Sequence, residues 1–273
     1  MQRYIGCRLS GAGPNVVLLH ASMSTAAQWK PLAAALERDH TVLAMDLIGY
    51  GDAPGPANPT TFSLRREAER VLAYTDACFG AGAPFKLVGH SYGGATALRI
   101  AREHPQRVSA LVAYEPVCFN LLDEDEDARE LALRLAAQVS ELAAQGRTAQ
   151  AAALFYDFWN GPDTWRALPV TRRERLAALS LKVALDFQAV FLEPRSAQAY
   201  ACIDAPALLL GGTRSFRMTR RILGKLAAVM SGARLAWVDG DHMAPAFAPE
   251  TVNPLIETFL RGEAVAPAYA EAA

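Results

Sequence analysis

Along the chain, apolar runs of strand length alternate with longer stretches in which apolar residues recur at helical spacing. The runs Asn15 to His20, Thr41 to Asp46, Phe85 to Gly89, Val108 to Glu115, Ala207 to Gly212 and Arg234 to Val238 predict strands. Helical periodicity over Thr25 to Glu37, Ser63 to Cys78, Gly93 to His104, Arg220 to Met230 and Pro249 to Leu260 predicts the helices between them. Near-continuous apolar strands alternating with helices define an α/β fold, a mostly parallel, doubly wound sheet with helices on both faces. Arg3 to Leu9 predicts a further edge strand, antiparallel to the rest.

The alternation stops after Glu115 and resumes at Pro206, which leaves Val117 to Ile203 as a long, mostly helical interlude. It reads as an inserted helical cap over residues 117–203, interrupting an α/β core of residues 1–116 and 204–262. The interlude opens on the acidic run Asp123 to Asp127, suited to a helix N-terminus, ahead of a helix with Leu131, Leu135, Val139 and Leu142 on one face. Residues 263–273 are alanine-rich and aperiodic, and predict a frayed tail.

A chain of 273 residues, 52% hydrophobic and 20% charged, can bury a large single core. Its 27 basic and 28 acidic residues cancel, so no net field draws it to nucleic acid or an anionic membrane. A small-molecule substrate is the expected partner, and oligomeric state is not readable. The short apolar run Val16 to Leu19 ends in His20, so neither a secretory signal nor a membrane span is expected. Cys7, Cys78, Cys118 and Cys202 are widely spaced with no CxxC pair, and read as free buried thiols of a reducing cytoplasm without a zinc site.

The chemistry concentrates at Gly89-His90-Ser91-Tyr92-Gly93, a G-x-S-x-G between the strand-like Lys86-Leu87-Val88 and a helical stretch from Ala95. A sharp strand-to-helix turn lifts the serine hydroxyl clear, and only glycine fits where the chain nearly touches itself. A serine hydroxyl needs a neighbouring base. Of His20, His40, His90, His104 and His242, only His242 follows the last strand in a glycine-rich loop, from which it can reach the carboxyl edge of the sheet. His20 is expected to anchor a loop, His90 to pack inside the elbow, and His40 and His104 to sit at helix ends.

These residues resemble the α/β-hydrolase fold family from about Val16 to Leu260. Leu18-Leu19-His20-Ala21-Ser22 is similar to the family's strand ending in His-Gly, with Ala21 in place of the glycine. Asp46-Leu47-Ile48-Gly49-Tyr50-Gly51 resembles its D-x-x-G-x-G loop, and Gly240-Asp241-His242-Met243 its histidine loop. The resemblance implies a sheet of the eight-stranded type with a helical cap, Ser91 as nucleophile and His242 as base. It also implies an oxyanion hole from the backbone N–H groups of Ser22 (or its neighbour Met23) and Tyr92.

The family's usual acid, after the penultimate strand, is missing, because no Asp or Glu occurs from Ala205 to Val238. Glu115, ending the strand next to the elbow strand, is the expected third member of the triad, as in some relatives, with Asp239 and Asp241 in reserve. Phe155, Phe158, Trp159 and Phe187 of the interlude are candidates to roof a substrate pocket. The expected activity is cofactor- and metal-free serine hydrolysis of a small or medium, largely apolar ester, thioester or lactone. Carbon–carbon bond hydrolysis, peracid formation, or a ligand-binding protein that has lost catalysis are the alternatives. Epoxide and haloalkane hydrolases carry aspartate where Ser91 stands.

Overall fold

The computed structural model describes residues 5–122 and 126–264. The strands are β1 (Cys7–Gly11), β2 (Asn15–Leu19), β3 (Thr41–Met45), β4 (Phe85–His90), β5 (Val108–Tyr114), β6 (Ala207–Gly212) and β7 (Ala233–Val238). They form one sheet in the order β1-β3-β2-β4-β5-β6-β7, parallel except for β1. Among the described residues there are seven strands, one fewer than the eight-stranded type, since a single antiparallel strand precedes β2. That strand starts at Cys7, later than the expected Arg3, and Arg3 itself lies outside the described residues.

The helices are α1 (Lys30–Leu36), α2 (Leu64–Phe79), α3 (Tyr92–Glu103), α4 (Glu126–Ala144), α5 (Thr148–Asn160), α6 (Thr164–Ala167), α7 (Val170–Ala177), α8 (Ser180–Phe191), α9 (Arg217–Val229), α10 (Ala244–Phe247) and α11 (Pro249–Leu260). Each strand side-chain alternation feeds one of two apolar layers. Val16, Leu18, Val42, Val88, Val112 and Leu208 point to the layer covered by α1 and α11. Val17, Leu19, Leu43, Leu87, Leu111 and Leu209 point to the layer covered by α2, α3 and α9. Both faces are therefore dry, which explains why the strands read as continuous apolar runs.

The predicted helix from Thr25 divides in two. Thr25 caps a short 3-10 turn, Ala26–Trp29, before α1 begins at Lys30 with a proline in its first turn. Between β5 and β6, α4 to α8 form the helical segment expected from the broken alternation. Of the acidic run, residues 123–125 lie outside the described residues, as does the expected tail from residue 265 on. None of the four cysteines is in a disulfide, but only Cys118 is buried and Cys202 is exposed, against the expectation of four buried thiols. Cys202 lies in the turn that follows a 3-10 helix, Ala197–Tyr200, rather than on a core-facing strand or helix face.

Strand order reverses around β2: the chain steps from β2 outward to β3, then returns past β2 to β4 and moves on to β7. The loops after β2 and β4 therefore diverge and leave a crevice at the carboxyl edge, where ligands of open α/β sheets bind. Register brings three strand ends to one level, with Leu19 beside Gly89, Gly89 beside Ala113, and His90 beside Tyr114. A Cβ at Gly93 would lie 2.5 Å from both the Leu19 and His20 carbonyl oxygens, so α3 can start against the end of β2 only with glycine there. Gly93→Ala should cost about 1–3 kcal/mol of stability through forced backbone displacement, read as a lowered urea midpoint. An unshifted midpoint would mean that the elbow is looser than this packing requires.

Candidate functional site

Because Ser91 and Glu115 each follow the last residue of neighbouring strands, the register sets them side by side. Ser91 is an elbow at φ 55°, ψ −116°, its N–H donating to the Tyr114 carbonyl at 3.0 Å. Glu115 also has positive φ, 39°, and its N–H donates to the Leu210 carbonyl at 2.9 Å. His242 arrives from the loop after β7. Its Nε2 lies 3.0 Å from Ser91 Oγ and its Nδ1 lies 2.8 Å from Glu115 Oε2. Glu115 Oε1 accepts the Gly212 N–H at 2.7 Å. Ser91, Glu115 and His242 are all buried.

This is a coherent proton path. With its proton on Nδ1, the neutral imidazole donates to Glu115 and turns the Nε2 lone pair to the serine hydroxyl. Asp239 and Asp241 do not reach the ring. Asp239 is 62% exposed and pairs with Arg214, while Asp241 Oδ1 accepts the Met243 N–H at 2.9 Å.

The Ser22 and Tyr92 backbone N–H groups, one from each side of the crevice, have no protein acceptor among the described residues. His20 anchors the Ser22 loop as expected. Its Nδ1 lies 2.7 Å from the Ala21 carbonyl and its Nε2 accepts the Leu47 N–H at 2.9 Å. His90 does pack inside the elbow, where its Nε2–H donates to the His242 carbonyl at 2.8 Å. Gln28, which the sequence did not single out, bridges the two loops: its Nε2 donates to His90 Nδ1 at 3.1 Å and its Oε1 accepts the Ala21 N–H at 3.2 Å. His40 follows the end of α1, its N–H donating to the Leu36 carbonyl at 2.8 Å, and its buried ring lies 2.8 Å from Asp39 Oδ1 and 3.2 Å from Lys86 Nζ.

Two spaces meet at Ser91. An outer cavity of about 730 Å³ is lined by Ser91, His242, Phe155, Trp159, Met23 and Phe247, among others. An inner pocket with room for about 20 Å³ is walled by Val117, Phe119, Val183, Phe187 and Val190. Phe155 and Trp159 line both spaces and Phe187 the inner one, as the sequence suggested. Phe158 lines neither: its ring stacks on Phe216 at 4.7 Å and meets Trp159 edge-on, because it leaves α5 one position away from the site-facing pair. The Trp159 indole lies over the His242 ring at 3.9 Å between centroids.

Beneath the Ser22 loop lies a buried ionic cluster that sequence reasoning missed. Asp186 of α8 accepts the Ser22 hydroxyl at 2.6 Å and the Tyr50 phenol at 2.5 Å, and pairs with Lys182. Lys182 is 3.3 Å from Glu67, which accepts the Tyr92 phenol at 3.2 Å. Burial pushes Glu67 above the usual carboxylate range, against the opposing pull of Lys182. The available signal was the i,i+4 spacing of Lys182 and Asp186 on an otherwise apolar helix. Among the described residues, no group of acidic, histidine or cysteine side chains could hold a metal ion, and no helix is long and apolar enough to cross a membrane.

Residues 14–249 match the sequence profile of the alpha/beta hydrolase fold family, and the chain belongs to that family. Among characterised relatives, it is 31% identical to a fluoroacetate dehalogenase from a Burkholderia species over 132 residues, 45% of this chain and 41% of that protein. It is 37% identical to a pimeloyl-[acyl-carrier protein] methyl ester esterase from Aeromonas hydrophila over 117 residues, 42% of each. The chain thus spans only about two fifths of the length of these curated relatives. Among solved structures, an alpha/beta hydrolase from Sphaerobacter thermophilus superimposes with a TM-score of 0.74 at 25% identity, covering 94% of this chain and 96% of the other. An enol-lactonase from Burkholderia xenovorans shares the fold, with a TM-score of 0.72 at 21% identity over 94% and 96% of the two chains.

Burial drives the His20 pKa down to about 4, from 6.5 for a free imidazole. The unfolded chain binds a proton across that interval that the folded chain refuses. His20 therefore contributes fully to stability above about pH 6.5, and the contribution is lost as pH falls toward 4. At about 1.4 kcal/mol per pH unit this loss is on the order of 3 kcal/mol. His20→Gln should flatten the fall of the urea midpoint between those pH values, with His90, also depressed by burial and by His242 beside it, contributing in the same direction as His20. A variant as acid-sensitive as the wild type would show that His20 titrates normally.

Proposed function

We propose that the protein is a serine hydrolase that cleaves a carboxylic ester, thioester or lactone through an acyl-enzyme on Ser91. The observation that carries this reading is the position of the His242 ring, 3.0 Å from Ser91 Oγ on one side and 2.8 Å from Glu115 on the other. Ser91 Oγ attacks the acyl carbon while His242 Nε2 takes the hydroxyl proton. Glu115 stabilises the imidazolium, and the same proton then leaves with the alcohol or thiol. Water repeats the sequence to release the acid and restore Ser91. The free N–H groups of Ser22 and Tyr92 would hold the developing oxyanion, each worth about 2.7–4 kcal/mol by analogy with other such donors.

The likeness to a dehalogenase does not favour carbon–halogen cleavage here. Displacing halide with a serine hydroxyl would leave an ether, which water cannot release at an acyl carbon. A carboxylate nucleophile would leave an ester, which it can. The apolar walls of the inner pocket support a largely apolar group next to the scissile bond.

Ser91→Ala should abolish hydrolysis of a chromogenic short-chain ester and labelling by a fluorophosphonate. Turnover near the wild-type rate would remove Ser91 as the nucleophile, and wild-type protein that neither turns over the ester nor takes the label would be a binding protein instead. Glu115→Gln should lower kcat by up to about four orders of magnitude, as loss of the third member does in other triads. An effect of only a few-fold would remove Glu115 from the proton path.

A further inference from the structure

The outer cavity is too large and too charged for a small apolar ester alone. Helix α7 and the turn after it present Arg172, Arg175, Leu176 and Leu179 to the cavity that contains Ser91 and His242. Their spacing of i, i+3, i+4 and i+7 is one helical face, and Leu179 keeps helical backbone angles beyond the end of α7. The face is graded: Leu176 is buried, Leu179 half-buried, and both arginines are exposed at the rim.

Two like charges three residues apart repel and weaken the helix that carries them. Among the described residues neither Arg172 nor Arg175 has a carboxylate within 4 Å, and Asp52, the one carboxylate lining the outer cavity, pairs with neither. Meanwhile the inner pocket has room for only a small group. The larger part of any substrate attacked at Ser91 must therefore extend into the outer cavity toward these guanidinium groups.

We infer that Arg172 and Arg175 form an anion subsite, and that the substrate carries a carboxylate remote from the bond that breaks. The inference rests on the hydrolase reading and refines its substrate class. A planar guanidinium fork matches a carboxylate in paired, charge-assisted hydrogen bonds, and two forks on one face can hold either orientation of the group. The apolar stretch between, formed by Leu176, Leu179 and the aromatic rings of Phe155 and Trp159, fits a hydrocarbon spacer.

The test uses matched ester pairs. One pair places the charge on the acyl part: the mono-para-nitrophenyl ester of suberic acid against its methyl-capped diester. The other places it on the leaving group: para-acetoxybenzoate against para-acetoxybenzamide. In at least one pair the charged ester should have a kcat/KM roughly tenfold higher, as expected for two partly exposed ion pairs, and added salt should shrink that preference in the wild-type protein. Arg172→Gln with Arg175→Gln should bring the ratio toward one, and Arg172→Glu with Arg175→Glu should reverse it. Equal turnover within both pairs by the wild type, or a preference that survives the double glutamine variant, overturns the anion subsite while leaving the hydrolase reading intact. No turnover of any of the four esters, together with no fluorophosphonate labelling, overturns both.

Discussion

The backbone of Ser91, at φ 55° and ψ −116°, occupies a region that an L residue enters at a cost of about 1–3 kcal/mol. The sheet holds it there. Its N–H is bonded to Tyr114, and its carbonyl accepts from Ala95 at 3.0 Å and Val117 at 3.3 Å. Those three partners belong to β5, α3 and the start of the helical segment, so the elbow cannot relax without disturbing all of them. Glu115, the next residue along the edge, is likewise forced to positive φ. The two adjacent strand ends thus carry strain at the two residues that flank His242, and the large apolar layers of the core supply the free energy that sustains it.

The position of Glu115 follows from what stands opposite it. The last residue of β6, Gly212, faces the Glu115 carboxylate, and two features of it matter. The Gly212 N–H is free to bind Glu115 Oε1, and the missing side chain leaves room for the Gly240 backbone to close over it. A carboxylate with 0% exposure would be costly to bury unpaired. Here one oxygen meets a backbone donor and the other meets His242, so both carboxylate oxygens are paired.

The absence of an acid from Ala205 to Val238 was legible in the sequence, and so was a carboxylate at Glu115 on the neighbouring strand end, because both depend only on residue identity at strand ends. The six parallel strands were legible to within about a residue, since burial on both faces makes them apolar throughout. What escaped was everything that depends on contacts between distant elements. Lys182, Asp186 and Glu67 look like solvated helix charges until α8 is seen lying against α2, with Asp186 bonded to Ser22 across 164 residues of chain. Gln28 and Phe158 make the same point, since a single helical position decides whether a side chain joins two loops or packs behind the site. Breaking such a buried ion cluster is expensive even where forming it is nearly neutral, so it acts less as a source of stability than as a fixed coupling between the helical segment and the Ser22 loop.

That coupling gives the helical segment a part in the proposed chemistry beyond shelter. Trp159 stacks on His242 at 3.9 Å with 30° between the planes. While the imidazole is neutral, this is ordinary stacking between two buried rings. Once the ring accepts the Ser91 proton it becomes a cation against an indole face, an attraction that is worth about 0.5–2 kcal/mol and exists only in the charged form. Glu115 acts on the same charge from the opposite end of the ring. An interaction that strengthens only as charge develops lowers the barrier without tightening the ground state. Through Trp159 the segment would therefore support the proposed proton transfer, while through Asp186 it holds the Ser22 loop in place.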